Sequence, residues 1–85
     1  MTFLWTPRFE KVYRALPPEQ QTAVDTHLKM LAQNWRHPSL HTKKLPGTQI
    51  WYLRVSRDVR LTFQPTPAGL LLRNVGHHDA TLRAP

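Results

Sequence analysis

The chain has no cysteine, which excludes disulfide staples and thiolate metal centres and fits a reducing compartment. It also lacks any apolar run long enough to cross a bilayer. Its start, Met1-Thr2-Phe3-Leu4-Trp5-Thr6-Pro7, has neither the charged head nor the extended apolar stretch of a signal peptide. A soluble cytoplasmic protein with no membrane role is the expectation. Acidic residues are scarce, with five Asp and Glu against twelve Lys and Arg, so the formal charge is +7. At 85 residues the chain has room for a single domain, 1–85, with a modest core. Eight of the twelve basic residues are arginine, the side chain suited to bidentate phosphate contact. So strong an imbalance on so short a chain points to a polyanionic partner, either nucleic acid or an acidic protein.

Two helices are predicted first. Thr6-Pro7 supplies a capping hydroxyl followed by proline at the first helical position, and Phe9, Val12, Tyr13 and Leu16 recur at helical spacing until Pro17-Pro18 stops the segment. A second helix starts near Pro18-Glu19, carries a stripe of Val24, Leu28, Leu31 and Trp35, and should end near Trp35-Arg36 because His37 precedes Pro38. Joined by the two prolines, they read as an antiparallel hairpin. Phe3-Leu4-Trp5 is a short strand candidate. From Arg36 to Thr48 periodicity fails, which predicts a basic, histidine-bearing loop. Three strand candidates follow: Gln49 to Val55, Val59 to Gln64, and Gly69 to Val75.

The first two of these strands constrain each other. Trp51, Leu53 and Val55 alternate on one face, as do Val59, Leu61 and Phe63 on the next strand. Side chains alternate with a period of two, so register decides which residues share a side. A three-residue loop opposes Leu53 to Leu61 and Trp51 to Phe63, keeping the apolar sets together; a two-residue loop would set Arg54 against Leu61. The first register places Tyr52 opposite Thr62 and Arg54 opposite Arg60 on the other face. Like charges directly opposed weaken a sheet by about a few tenths of a kcal/mol. Tyr52, Arg54, Arg60 and Thr62 thus read either as a cationic platform for an anion or as solvated arginines that splay apart.

The third strand runs into Asn74-Val75-Gly76-His77-His78-Asp79. A zinc centre is not expected there: neighbours in extended chain point opposite ways, no Cys or Glu is nearby, and His41 or His37 would have to be recruited. No nucleophile motif accompanies the histidines. Beside a cationic platform they can serve in acid–base chemistry, since histidine titrates near neutrality; alone they read as an exposed turn. His27, between Asp25 and Lys29 on the second helix, reads as structural or exposed.

These segments, in this order, resemble the RelE/ParE toxin superfamily of bacterial toxin–antitoxin systems. The resemblance runs over nearly the whole chain: the helical hairpin, His37-Pro38-Ser39-Leu40-His41, Lys43-Lys44-Leu45-Pro46-Gly47, Trp51-Tyr52-Leu53-Arg54-Val55, Arg57-Asp58-Val59-Arg60-Leu61 and Val75-Gly76-His77-His78-Asp79. It implies an α+β RelE-like fold, with a short N-terminal strand, an antiparallel helical hairpin and a three-stranded antiparallel meander. It also implies a ribosome-dependent mRNA endonuclease that needs no metal or cofactor. In such an enzyme a ribose 2′-hydroxyl attacks the adjacent phosphate, leaving a 2′,3′-cyclic phosphate and a 5′-hydroxyl. The implied partners are ribosome, mRNA and an inhibitory cognate antitoxin.

Carried over by position, the resemblance implies that Arg54 and Arg60 hold the scissile phosphate while Lys44 adds charge. His78 is then the leading proton carrier, oriented by Asp79. RNA contacts are expected from His41, Lys43, Lys44, Tyr52, Arg57, Arg73 and His77, with His77 a weaker proton carrier because neighbouring side chains diverge. Two features depart from the family pattern. The segment Ala80-Thr81-Leu82-Arg83-Ala84-Pro85 carries no tyrosine, and the hairpin carries no glutamate to act as base, so the general base is unassigned. Two other functions fit the same fold: a ParE-like toxin that poisons DNA gyrase without cutting RNA, and a non-enzymatic basic RNA-binding module.

Overall fold

A computed structural model describes all 85 residues. Strand β1 (Phe3–Trp5) leads into helices α1 (Pro7–Ala15) and α2 (Pro18–Gln33), and a 3-10 turn (Pro38–Leu40) leads to β2 (Lys43–Lys44). Strands β3 (Trp51–Arg54), β4 (Val59–Thr66) and β5 (Gly69–His77) follow, and α3 (His78–Arg83) closes the chain. The sheet has five strands in the order β1-β5-β4-β3-β2; only the β1–β5 pair is parallel.

Local chemistry explains the helices. The Thr6 hydroxyl accepts from Phe9 N at 3.1 Å and donates to Leu72 O at 2.7 Å, so one side chain caps α1 and ties it to β5. Gln21 donates to Arg14 O and to Tyr13 O, the latter also accepting from Leu16 N, and so fastens the two helices together at the end of α1. Their buried stripe, Phe9, Val24, Leu28 and Leu31, meets Leu53, Leu61, Phe63, Leu72 and Val75 from one face of the sheet in a single cluster.

The structure corrects the expected boundaries in several places. Helix α2 stops at Gln33, because Asn34 turns extended (φ −161°) and its side chain accepts from Arg36 N. Trp35, freed from the helix, sets its ring edge-on to Trp51 (4.9 Å) and Phe63 (5.9 Å). The span from Arg36 to Thr48 is more than a loop. Leu45-Pro46-Gly47-Thr48 closes a tight turn, with Gly47 at φ +74° and Thr48 N bonded to Leu45 O, so Lys43–Lys44 pairs with β3 as an extra strand. Strand β3 starts at Trp51 instead of Gln49, since Ile50 N donates to the Thr48 hydroxyl at 3.0 Å within that turn. Strands β4 and β5 run on to Thr66 and His77, and the residues after them form helix α3 where an exposed turn was expected.

Candidate RNA-binding pocket on the outer face of the sheet

The β3–β4 register is the one the apolar alternation requires: Trp51 opposes Phe63, Tyr52 opposes Thr62, Leu53 opposes Leu61, and Arg54 opposes Arg60. Its outer row continues in both directions, with Lys43 beside Tyr52 and Asn74 beside Thr62. Helix α3 folds back over the β4–β5 half of this face. At Gly76 the helix lies close on the strand, since a Cβ there would lie 3.2 Å from Thr81 Oγ1. Only the β2–β3 half stays open, and the boundary between the halves is a groove.

That groove is a pocket of about 260 Å³ lined by His41, Lys43, Tyr52, Arg54, Arg60, His78 and Leu82. Four cationic or titratable residue types converge on it from five elements: the 3-10 turn, β2, β3, β4 and α3. His41 enters from the 3-10 turn in the left-handed conformation (φ +50°), a conformation in which non-glycine residues are uncommon and histidine is enriched. Arg60 Nη1 donates to three carbonyls of the hairpin turn, Ser56 at 2.9 Å, Arg57 at 3.1 Å and Val59 at 3.2 Å, which fixes its guanidinium. The carboxylates within 4.0 Å of a basic side chain are Glu10, beside Arg14, and Asp79, beside the two adjacent histidines. Neither Arg54 nor Arg60 has a carboxylate partner, so the positive charge of the pocket is uncompensated. His78 Nδ1 lies 2.9 Å from Asp79 Oδ1, an arrangement that fixes the ring at the mouth of the pocket.

The remaining residues singled out in the sequence are placed elsewhere. Lys44 pairs with Trp51, so it falls on the helix side of the sheet edge while Lys43 falls on the pocket side. Thr62, expected on an open platform, is fully buried, and its hydroxyl donates to Pro85 O at 3.1 Å. Arg57 stands exposed in the hairpin turn. A bulge in β5 sets Phe63 opposite Leu72 and Thr62 opposite Asn74, leaving Arg73 between them. Arg73 binds Pro85 O and Gln64 Oε1, away from the pocket. His77 does not diverge from His78: it is both the last residue of β5 and the N-cap of α3, where the chain turns from strand to helix, and the two rings stack at 4.4 Å. Leu82 is the pocket residue that sequence reasoning missed; its only signal was the helical spacing of a segment too short to show periodicity.

Protein-family models and curated protein sequences give no match to this chain. Solved structures do. RelE in the RelB–RelE antitoxin–toxin complex from Methanococcus jannaschii superposes with a TM-score of 0.76 at 15% identity, over 94% of this chain and 95% of that one. A YoeB/ParE toxin from Agrobacterium tumefaciens gives 0.79 at 14% identity, over 92% and 99%. YafQ from E. coli gives 0.75 at 15% identity, over 94% and 96%. The chain therefore has the fold shared by the RelE, YoeB, YafQ and ParE toxins.

Proposed function

We propose that the protein is the toxin of a type II toxin–antitoxin pair and acts as a ribosome-dependent mRNA endonuclease. The observation that carries this reading is the convergence of two unpaired arginines, a lysine, a tyrosine and two imidazoles on one pocket. A protein that only docks on another protein has no need of that set, whereas metal-free cleavage of RNA does. In that reaction the 2′-oxygen forms a bond to phosphorus and the bond to the 5′-oxygen breaks. One proton leaves the 2′-hydroxyl and one arrives at the departing 5′-oxygen.

Arg54 and Arg60 neutralise the charge that builds on the non-bridging oxygens, and the three carbonyls that hold Arg60 keep its remaining N–H groups aimed without reorganisation. Lys43, rather than Lys44, adds charge from the pocket rim. His78, oriented by Asp79, moves one proton, and His41 supplies a second imidazole for the other. Tyr52 offers a ring for base stacking. The solved structures named RelB–RelE and DinJ–YafQ are toxin–antitoxin complexes. Here an acidic or amphipathic antitoxin segment, folding as it docks, would cover the +7 surface.

The test is inducible expression followed by mapping of mRNA 5′ ends, with Arg60→Ala and His78→Ala as comparisons. New 5′ ends that vanish in both folded variants support the reading. Growth arrest with DNA damage and intact transcripts would sink it in favour of gyrase poisoning, and RNA binding without arrest would favour a passive RNA-binding module.

A further inference from the structure

The β3–β4 turn carries Asp58 to the junction of β5 and α3. His78 N donates to Asp58 O at 2.8 Å, and Val59 pairs with His77. These two backbone ties bring Asp58 to His77 and His78, which lie 19 and 20 residues further along the chain, counting from position 58 to 77 and 78. One ligand atom each from Asp58, His77 and His78 lies within 4.8 Å of the others. The Asp58 carboxylate makes no ion pair, although the chain is rich in cations. The two histidines thus do not point opposite ways, as neighbours in extended chain would, and the third donor is Asp58, not His41 or His37.

A second observation concerns the atoms behind the cluster. With Asp79 Oδ1 at 2.9 Å from His78 Nδ1, the carboxylate accepts the Nδ1 proton, which leaves the lone pair of the neutral ring on Nε2. Carboxylates hold metal-binding histidines in the same manner. His77 Nδ1 accepts from Asp79 N at 3.3 Å, a long bond that a stronger ligand bond can replace. Two imidazoles and a carboxylate suit zinc-class divalent ions and not Mg²⁺ or Ca²⁺, which prefer all-oxygen shells. Zinc bonds of about 2.0–2.1 Å put tetrahedral donors about 3.4 Å apart. Rotation of the exposed Asp58 and His77 side chains toward His78 covers the difference, with water completing the shell.

We propose that Asp58, His77 and His78 form a binding site for one divalent transition-metal ion of the zinc class. His78 also lines the pocket, so an ion there removes an imidazole from it. The metal site stands on the cluster alone; its inhibition of cleavage rests on the nuclease reading above.

The experiment is titration of the untagged full chain with Zn²⁺ by calorimetry, alongside NMR of the histidine ring signals. Expected are one Zn²⁺ per chain, shifts of the His77 and His78 rings with His27 and His37 unmoved, and affinity at least about tenfold weaker in Asp58→Asn and in His77→Ala. Absence of saturable binding, or ring shifts led by His37 or His41 in the wild type, would overturn the site even if a variant failed to fold. RNA cleavage with added Zn²⁺ separates the two readings. Inhibition that needs at least about tenfold more Zn²⁺ in Asp58→Asn supports the coupling. Saturable binding with undiminished cleavage overturns the coupling and leaves the ion site in place.

Discussion

Arg54 and Arg60 stand directly opposite each other across the β3–β4 hairpin, and no carboxylate pairs with either. Yet the two are not equivalent. Arg60 is bonded to three turn carbonyls, whereas Arg54 is exposed and held by register alone. Removing either should abolish RNA cleavage, but their effects on stability should differ in sign. Arg54→Ala relieves like-charge opposition and should raise stability by about a few tenths of a kcal/mol. Arg60→Ala unfastens the turn and should cost about 1 kcal/mol. Urea unfolding midpoints of the two variants check this, and equal losses in both would refute the assignment.

The adjacent lysines give a second asymmetry. Pairing with Tyr52 puts Lys43 on the pocket face, while pairing with Trp51 puts Lys44 on the opposite one. Lys43→Ala should weaken RNA binding and reduce the slope of log affinity against log salt by about 1, the signature of one lost phosphate contact. Lys44→Ala should leave that slope unchanged. Fluorescence anisotropy with a short RNA across a salt series makes the comparison.

The reasons for legibility differ from one segment to the next. The register of β3 and β4 could be read because Leu53, Val55, Val59 and Leu61 are buried on one face, so any one-residue slip would expose them all. Strand β2 could not be read by alternation, since two residues have no period. Its signal was Pro46-Gly47, whose turn geometry brings Leu45 N to Ile50 O at 2.9 Å and so decides which lysine faces the pocket. Helix α3 was hidden for a related reason. Six residues show no stripe, although Asp79 in its first turn and Arg83 in its last match the helix dipole. Because α3 was unseen, so were the burial of Thr62, the stacking of His77 on His78, and Leu82 as a pocket wall. The Asp58–His77 proximity needed the β4–β5 register, which joins residues far apart in sequence.

Tyr13 gives the protein an alkaline signature. Its hydroxyl donates to Asp25 Oδ1 at 2.6 Å. That hydrogen bond is the main cause that raises the phenol above its ordinary value, with burial and the negative charge of Asp25 acting in the same direction. The folded pKa lies above the unfolded one, so the contribution to stability is fully present below about pH 10. It is lost as pH rises through the folded value. Ultraviolet titration should show a late phenol transition that moves down in Asp25→Asn, and Tyr13→Phe should flatten the loss of stability above pH 10. A transition unmoved in Asp25→Asn would show that the carboxylate does not hold the proton.

Asn74 anchors the wall that shapes the pocket. Its amide donates to Ala84 O at 3.1 Å while its side-chain oxygen accepts from Val75 N at 2.9 Å, and the side chain is buried. Asn74→Ala removes both bonds and leaves Ala84 O without that donor, at a cost of about 1–3 kcal/mol. Because the lost bond ties down the end of α3, the damage should be local. Amide exchange should speed up in α3 more than in α1 or α2, and RNA cleavage should fall as His78 and Leu82 lose their fixed positions. Asn74→Asp tests the donor specifically, since it preserves the acceptor toward Val75 N and deletes the donor toward Ala84 O. It should therefore reproduce the loosening of α3. Faster exchange spread evenly over the whole chain would instead mean that Asn74 supports the sheet and not the helix that closes the pocket.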